Sequence, residues 1–213
     1  MTDITDNKCR LRWYEVSVAM HVVGMRHTES LRQGLQDKHG YAGRDIHDNF
    51  YGVLGEMAFS KICNVYYPLT VNTFKEADIG ETWQIRTVGS NKNTNLIVRK
   101  NDPIEHNYAL IHIEKVAKYY YAEFKGWIKG KDARRERYLT DFGYKHRPEV
   151  YRIPFSELQP QHGFRFNARK YAKFALFFQT QPKGRVDYFL ARFRPLGDNL
   201  KFFLLLFIGL PSL

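Results

Sequence analysis

Apolar residues recur at intervals of three and four from about residue 11 to residue 36. Trp13, Val16, Met20 and Val23 share one side of a helical wheel, and "LRQGLQDKHG" closes the run on a glycine. The polar stretch "YAGRDIHDNF" that follows reads as a loop. A second helix is predicted from about residue 50 to residue 62, with Val53, Leu54, Met57, Ala58 and Ile62 as its apolar face and Glu56 at the border of that face. Beyond it the pattern shortens to short runs rich in aromatic and β-branched residues. "NVYYPLTV" predicts a strand interrupted or ended by Pro68, "WQIRTV" and "NLIVRK" two more, separated by the polar turn "GSNKNT". "YALIHIE" and "YYYAEFKGWIKG" read as neighbouring strands joined through "KVAK", with Gly126 and Trp127 marking a tight bend over a buried indole. "KDARRERYL" predicts a helical turn or two, and "EVYRIPFSEL" a last strand running into a turn. Helices first and strands afterwards point to an α/β or α+β class.

Composition narrows this picture in two ways. A chain of 213 residues with 44% hydrophobic and 15% aromatic residues can bury a sizeable core. The net charge of +11 is uneven: residues 1–165 carry 25 basic against 20 acidic side chains, whereas residues 166–213 carry 8 against 2. Such a surface suits a phosphate-bearing partner through counterion release and steering, although a plain basic protein explains it equally well. The last stretch alternates basic and apolar residues without a clear period, so no element or role is assigned to 166–213 beyond a helix that "FNARKYAKFALFFQT" would allow. Its most apolar run, "FFLLLFIGL", is far too short to span a bilayer as a helix. Cys9 and Cys63 lack the paired spacing of a disulfide framework or zinc site, and "MTDITDNKCRLRW" is no signal peptide. A reducing cytoplasm is the expected location, with no membrane partner.

Candidate chemistry gathers in "ADIGETWQIRT" at 77–87. Residues i and i+2 of a strand share a face, so Gln84 and Arg86 are expected to point together and Ile85 away. The short "IGET" turn is expected to bring Asp78 alongside them, and Glu56 from the preceding helix could complete a set of oxygen ligands. Metal-assisted cleavage of a phosphodiester asks for this combination: hard oxygen ligands for Mg²⁺ and a cation near the scissile phosphate.

With "GVLGEMAFSKI", "ADIG", "WQIRT", "NLIVRKND", "YALIHIE" and "GWIKG" in that order, residues 12–160 resemble the PD-(D/E)XK nuclease superfamily, and in particular its small phage-type members with a GxxGExA helix and a D…(E/Q)VR(T/S) hairpin. The resemblance implies a restriction-endonuclease-like core in residues 1–165, a central mixed β-sheet flanked by helices, followed by the 166–213 extension. It implies a metal-dependent DNA endonuclease, one or two Mg²⁺ or Mn²⁺ ions, and DNA as partner in phage DNA processing, recombination or attack on host DNA, within the host cytoplasm if the chain is phage-encoded. By the same likeness, Glu56 matches the helix acid, Asp78 the first motif acid, Gln84 the second acidic position and Arg86 the lysine position. Metal would be held by Glu56, Asp78 and Gln84. Two residue types depart from the pattern. Gln84 can ligate through its carbonyl oxygen but brings one negative charge fewer, and Arg86 can clamp a phosphate but cannot serve as a base. Restoring the usual types, through Gln84→Glu and Arg86→Lys, is expected to raise the rate or metal affinity of such a site.

Each residue has a plainer reading: Glu56 as a solvated border residue, Asp78 as a turn former before Gly80, Gln84 and Arg86 as an exposed strand face. Their joint order carries the nuclease reading. Lys129, Lys131, Arg134, Arg135 and Arg137, beside Trp127 and Tyr138, suit a DNA backbone groove, and a solvated helix face suits them nearly as well. His39, Asp45, His47 and Asp48 form a polar cluster without structural zinc spacing. No Walker loop, dinucleotide fingerprint or acyl-transfer triad is present in the sequence. The competing expectations are a non-catalytic nucleic-acid-binding protein on a degenerate nuclease fold, and a protein-interaction factor that assembles through its tail. A homodimer stays open.

Overall fold

The period-two stretches pair into two sheets. The computed structural model describes residues 4–34, 45–71, 76–89, 95–143 and 148–161. The end of the first predicted helix, His39, residues 41–44, nearly all of the "GSNKNT" turn and the 166–213 extension lie outside the described residues.

The first sheet holds β1 (Ile4–Thr5), β2 (Lys8–Leu11), β3 (Trp83–Val88), β5 (Asn107–Val116) and β6 (Tyr119–Lys129), in the order β1-β2-β6-β5-β3. All neighbours run antiparallel except β3 and β5, which are parallel, so the sheet is mixed. The second sheet is antiparallel and contains β4 (Leu96–Arg99), β8 (Val150–Ile153) and β7 (Leu139–Thr140). Together with α1 (Trp13–Arg32), α2 (Asp45–Ile62) and the short α3 (Gly130–Ala133), these make an α+β protein.

The two sheet faces are covered differently. On one, α2 lies against β3, with Phe59 stacked near Trp83 at 5.5 Å between ring centroids. The approach is close because position 55 is glycine; a Cβ there would sit 1.9 Å from Thr87 Oγ1. On the other face, Tyr108, Leu110 and Ile128 of the large sheet share a core with Leu96, Val98 and Ile153 of the small one. Tyr108, Ala109, Leu110 and Ile111 are all buried, as expected of a strand covered on both sides. The bend in β6 falls at Gly126, whose φ of +136° admits glycine readily, and a Cβ there would meet Leu158 Cβ at 2.7 Å. Trp127 beside it is buried.

Four features differ from the sequence pattern. Only Val16 and Val23 of the expected α1 stripe are buried, with Ala19 and Val22; Trp13 and Met20 are about half exposed (53% and 48%). α2 begins at Asp45, five residues before the predicted start, so the latter half of the expected loop is helical. A short β1–β2 hairpin occupies a stretch whose polar composition gave no strand signal. Residues 64–71 form no strand, because their backbone serves other partners. Asn64 and Leu69 take positive φ (51° and 50°), Val65 N–H donates to Ser60 O at 2.8 Å, and the Thr70 carbonyl accepts from Arg26 Nε at 3.1 Å.

Candidate active site

The contact of Gly55 with Thr87 places the next residue of α2, Glu56, beside the edge strand β3. Glu56 is buried (5% exposed) and fully engaged. From α1, Arg26 donates through Nη1 to Oε1 at 3.0 Å and through Nη2 to Oε2 at 2.8 Å, while the Tyr67 hydroxyl donates to Oε2 at 2.9 Å. Burial acts to lower the Arg26 pKa, but its bond to Glu56 and the nearby negative charge raise it by more, so the guanidinium stays charged. Burial, and then the Glu56 charge, push the Tyr67 hydroxyl well above its ordinary value, which keeps it a donor. The irregular 64–71 segment brings that hydroxyl and the Thr70 carbonyl to the Glu56–Arg26 pair.

Asp78 sits just before a tight turn closed by the Ile79–Trp83 bridge, with Gly80 at φ +65°. Its Oδ2 accepts the Ile85 N–H at 2.7 Å on the free edge of β3. Its Oδ1 has no hydrogen-bond partner among the described residues. Burial, and then the charge of Glu56, push the Asp78 carboxyl up to about 6, while the Ile85 N–H, Arg86 and Arg26 pull the other way. Glu56, Asp78, Arg26 and Arg86 therefore share one electrostatic neighbourhood.

Gln84 and Arg86 lie opposite Tyr108 and Leu110 in the parallel register, on the face away from α2. The buried Gln84 amide nitrogen donates to the Glu76 carbonyl at 2.8 Å and lies 3.4 Å from His106 Nδ1. Arg86 donates to Asp102 Oδ2 at 2.7 Å, and its guanidinium carbon is 5.6 Å from the Tyr108 ring centroid. Asp102 is a junction: Oδ2 also takes the Arg99 N–H at 2.8 Å, and its backbone carbonyl accepts from Arg134. Burial lowers the His106 pKa, partly offset by Asp102, so the imidazole is neutral at neutral pH. Thus Glu56 reaches the β3 edge from the helical face and the Gln84–Arg86 pair from the other, with Asp78 on the edge between them.

The basic stretch at 129–137 does not form one outward row. Lys129, Lys131, Arg135 and Arg137 are exposed, but Arg137 bonds Tyr138 and Glu157, and Arg135 lies 3.6 Å from Asp132. Arg134 turns inward to Asp102. Lys129 and Lys131 make no ion pair among the described residues. His47 and Asp48 stand exposed, 3.5 Å apart on the first turn of α2. Among the described residues no group of three or more His, Cys, Asp and Glu side chains is placed to hold a metal. A third ligand beside Glu56 and Asp78 would have to be the Gln84 carbonyl oxygen. The donors would then all be hard oxygens, and a divalent cation would offset the Glu56 repulsion that, after burial, lifts Asp78, so the chemistry of these donors suits Mg²⁺ or Mn²⁺.

Sequence reasoning missed Arg26, Tyr67, Asp102 and His106. Arg26 had a signal: it lies three and seven residues after the buried Val23 and Ala19, a cation on the inward stripe of α1. Among the described residues no helix is long and apolar enough to cross a membrane. No family model, curated protein or solved structure matches the chain.

Proposed function

We propose that the chain is a metal-dependent DNA endonuclease with a restriction-endonuclease-like core of the PD-(D/E)XK type, acting in the cytoplasm. The observation that carries the proposal is the pair Glu56 and Asp78, two inward carboxylates close enough that the charge of one helps hold the other up to about 6. A positive ion there would relieve this repulsion and meet Asp78 Oδ1, which has no hydrogen-bond partner among the described residues. The net charge of +11 and the exposed Lys129 and Lys131 suit a polyanionic substrate.

Glu56, Asp78 and the Gln84 carbonyl would hold the ion, which supplies Lewis acidity toward the phosphate and an acidified water. Arg86, braced by Asp102 and the Tyr108 ring, offers a fixed positive charge to a phosphate oxygen. It remains protonated throughout, so the proton of the attacking water leaves by another route. One observation favours the second reading, a nucleic-acid-binding protein without catalysis: Arg26 already neutralises Glu56 through two hydrogen bonds.

Incubation of the full chain with supercoiled plasmid in Mg²⁺ or Mn²⁺ separates the two. The nuclease converts it to nicked or linear form, chelator stops the reaction, and Asp78→Ala and Glu56→Ala each slow it by about a hundredfold or more. Both variants cutting as fast as the parent would overturn this site. Salt-sensitive retention of DNA with no cleavage in either metal supports the binding protein instead.

A further inference from the structure

Gln84 presents an amide where the family likeness expects a carboxylate, and two acceptors meet that amide. The Glu76 carbonyl oxygen lies 2.8 Å from Gln84 Nε2. A backbone carbonyl only accepts, so the group facing it must be the NH₂, which settles the orientation of the amide on chemical grounds. His106 Nδ1 lies 3.4 Å from the same nitrogen. The amide nitrogen is donor only, so Nδ1 has to be the acceptor, and the ring proton belongs on Nε2. With its nitrogen held from two sides, the amide aims Oε1 away from both, where it has no protein partner among the described residues.

The backbone holds His106 in place. Gly130 N–H donates to the His106 carbonyl at 2.7 Å, and Asn107 N–H, one residue on, donates to Thr82 O at 2.6 Å beside the start of β3. A Cβ at position 130 would come within 2.5 Å of Ile104 O and 2.9 Å of His106 O, so only glycine lets the chain pass this loop so closely where β6 runs into α3.

We infer that the Glu76 carbonyl and His106 form an amide-selective cradle, in which His106 is a positioning residue that aims the Gln84 carbonyl oxygen into the site. The use of that oxygen rests on the proposed nuclease site; the cradle does not. A carboxylate at 84 would bring an oxygen to the place where the amide donates, against the Glu76 carbonyl oxygen with no proton between them. Only His106 could answer, by carrying its proton on Nδ1. Gln84→Glu is therefore a loss, not the restoration that the residue pattern by itself suggests.

Long-range proton–nitrogen NMR of the full chain at pH 8, where an ordinary imidazole is neutral, reads the tautomer directly. His106→Asn assigns the signal. The parent carries the His106 proton on Nε2, and Gln84→Glu moves it to Nδ1. A parent proton on Nδ1, or a tautomer unchanged by Gln84→Glu, overturns the cradle. In plasmid cleavage with Mn²⁺, Gln84→Glu and His106→Leu each fall about tenfold or more below the parent, and His106→Asn, whose side-chain oxygen can accept in place of Nδ1, recovers most of the loss. A Gln84→Glu variant that cuts faster than the parent overturns the inference while leaving the nuclease intact. If the parent cuts nothing, the nuclease reading fails, and the tautomer alone decides the cradle.

Discussion

Replacing Asp78 by Asn is predicted to stabilise the protein while removing its activity. In the folded chain the Asp78 carboxyl titrates near 6 rather than at its ordinary 3.8, so folding disfavours its charge. Two pKa units correspond to roughly 3 kcal/mol. Asp78 keeps some contact with solvent, which screens part of this, and about 1–2 kcal/mol is the figure to expect. An Asn side chain keeps an oxygen that can accept the Ile85 N–H and drops the charge. The sign follows from proton binding. Between the two pKa values the folded state holds more protons than the unfolded, so this carboxyl makes stability fall as pH rises from about 4 to about 6, and the penalty is constant above that. The Asp78→Asn variant feels none of it. Thermal unfolding followed by circular dichroism should place the variant roughly 3–8 °C above the parent at pH 8, with the gap closing toward pH 4. A variant less stable than the parent at pH 8, or a gap that ignores pH, would refute the reasoning.

Other substitutions probe the same neighbourhood. Arg26→Leu leaves Glu56 buried with the Tyr67 hydroxyl as its one remaining hydrogen-bond partner among the described residues, and urea unfolding should show a loss of about 3–5 kcal/mol. Gly55→Ala drives a methyl into Thr87 Oγ1 and should destabilise by about 2–3 kcal/mol. Much of that loss should return in the Gly55→Ala/Thr87→Ala double variant, a coupling that independent sites would not show. Asp102→Ala unpairs Arg86 and the Arg99 N–H together, at about 1–3 kcal/mol by the same measurement.

Local pattern revealed what local forces decide. The existence of α1 and α2, the strand at Trp83–Val88 and the β5–β6 hairpin turning at Ala117 were legible from local repeats, although α1 buries Ala19 and Val22 where Trp13 and Met20 were expected, and Trp83, Gln84 and Ile85 are all buried instead of alternating. What depends on distant partners was not. Nothing near residue 8 announces that β2 will pair with β6 more than a hundred residues later, and nothing near residue 96 shows that β4 will join β8 rather than β3. "NVYYPLTV" has strand composition, yet Tyr67 and Thr70 serve the buried Glu56–Arg26 pair, and that demand outweighs propensity. At the site, the acid and the strand pair could be read from spacing, but their partners could not. Asp102 and His106 lie in a loop whose composition suggests only solvent, and parallel pairing of β3 with β5 is what sets that loop beside Gln84 and Arg86.

The central claim is that Glu56 and Asp78 hold a divalent cation at the edge of β3, and paramagnetic Mn²⁺ locates such an ion without reference to any substrate. In amide NMR spectra of the full chain, substoichiometric Mn²⁺ should first broaden the signals of Glu56, Asp78 and Ile85, and Asp78→Asn should abolish this while the fold persists. Broadening centred instead on His47 and Asp48, or unchanged in the variant, would contradict the account.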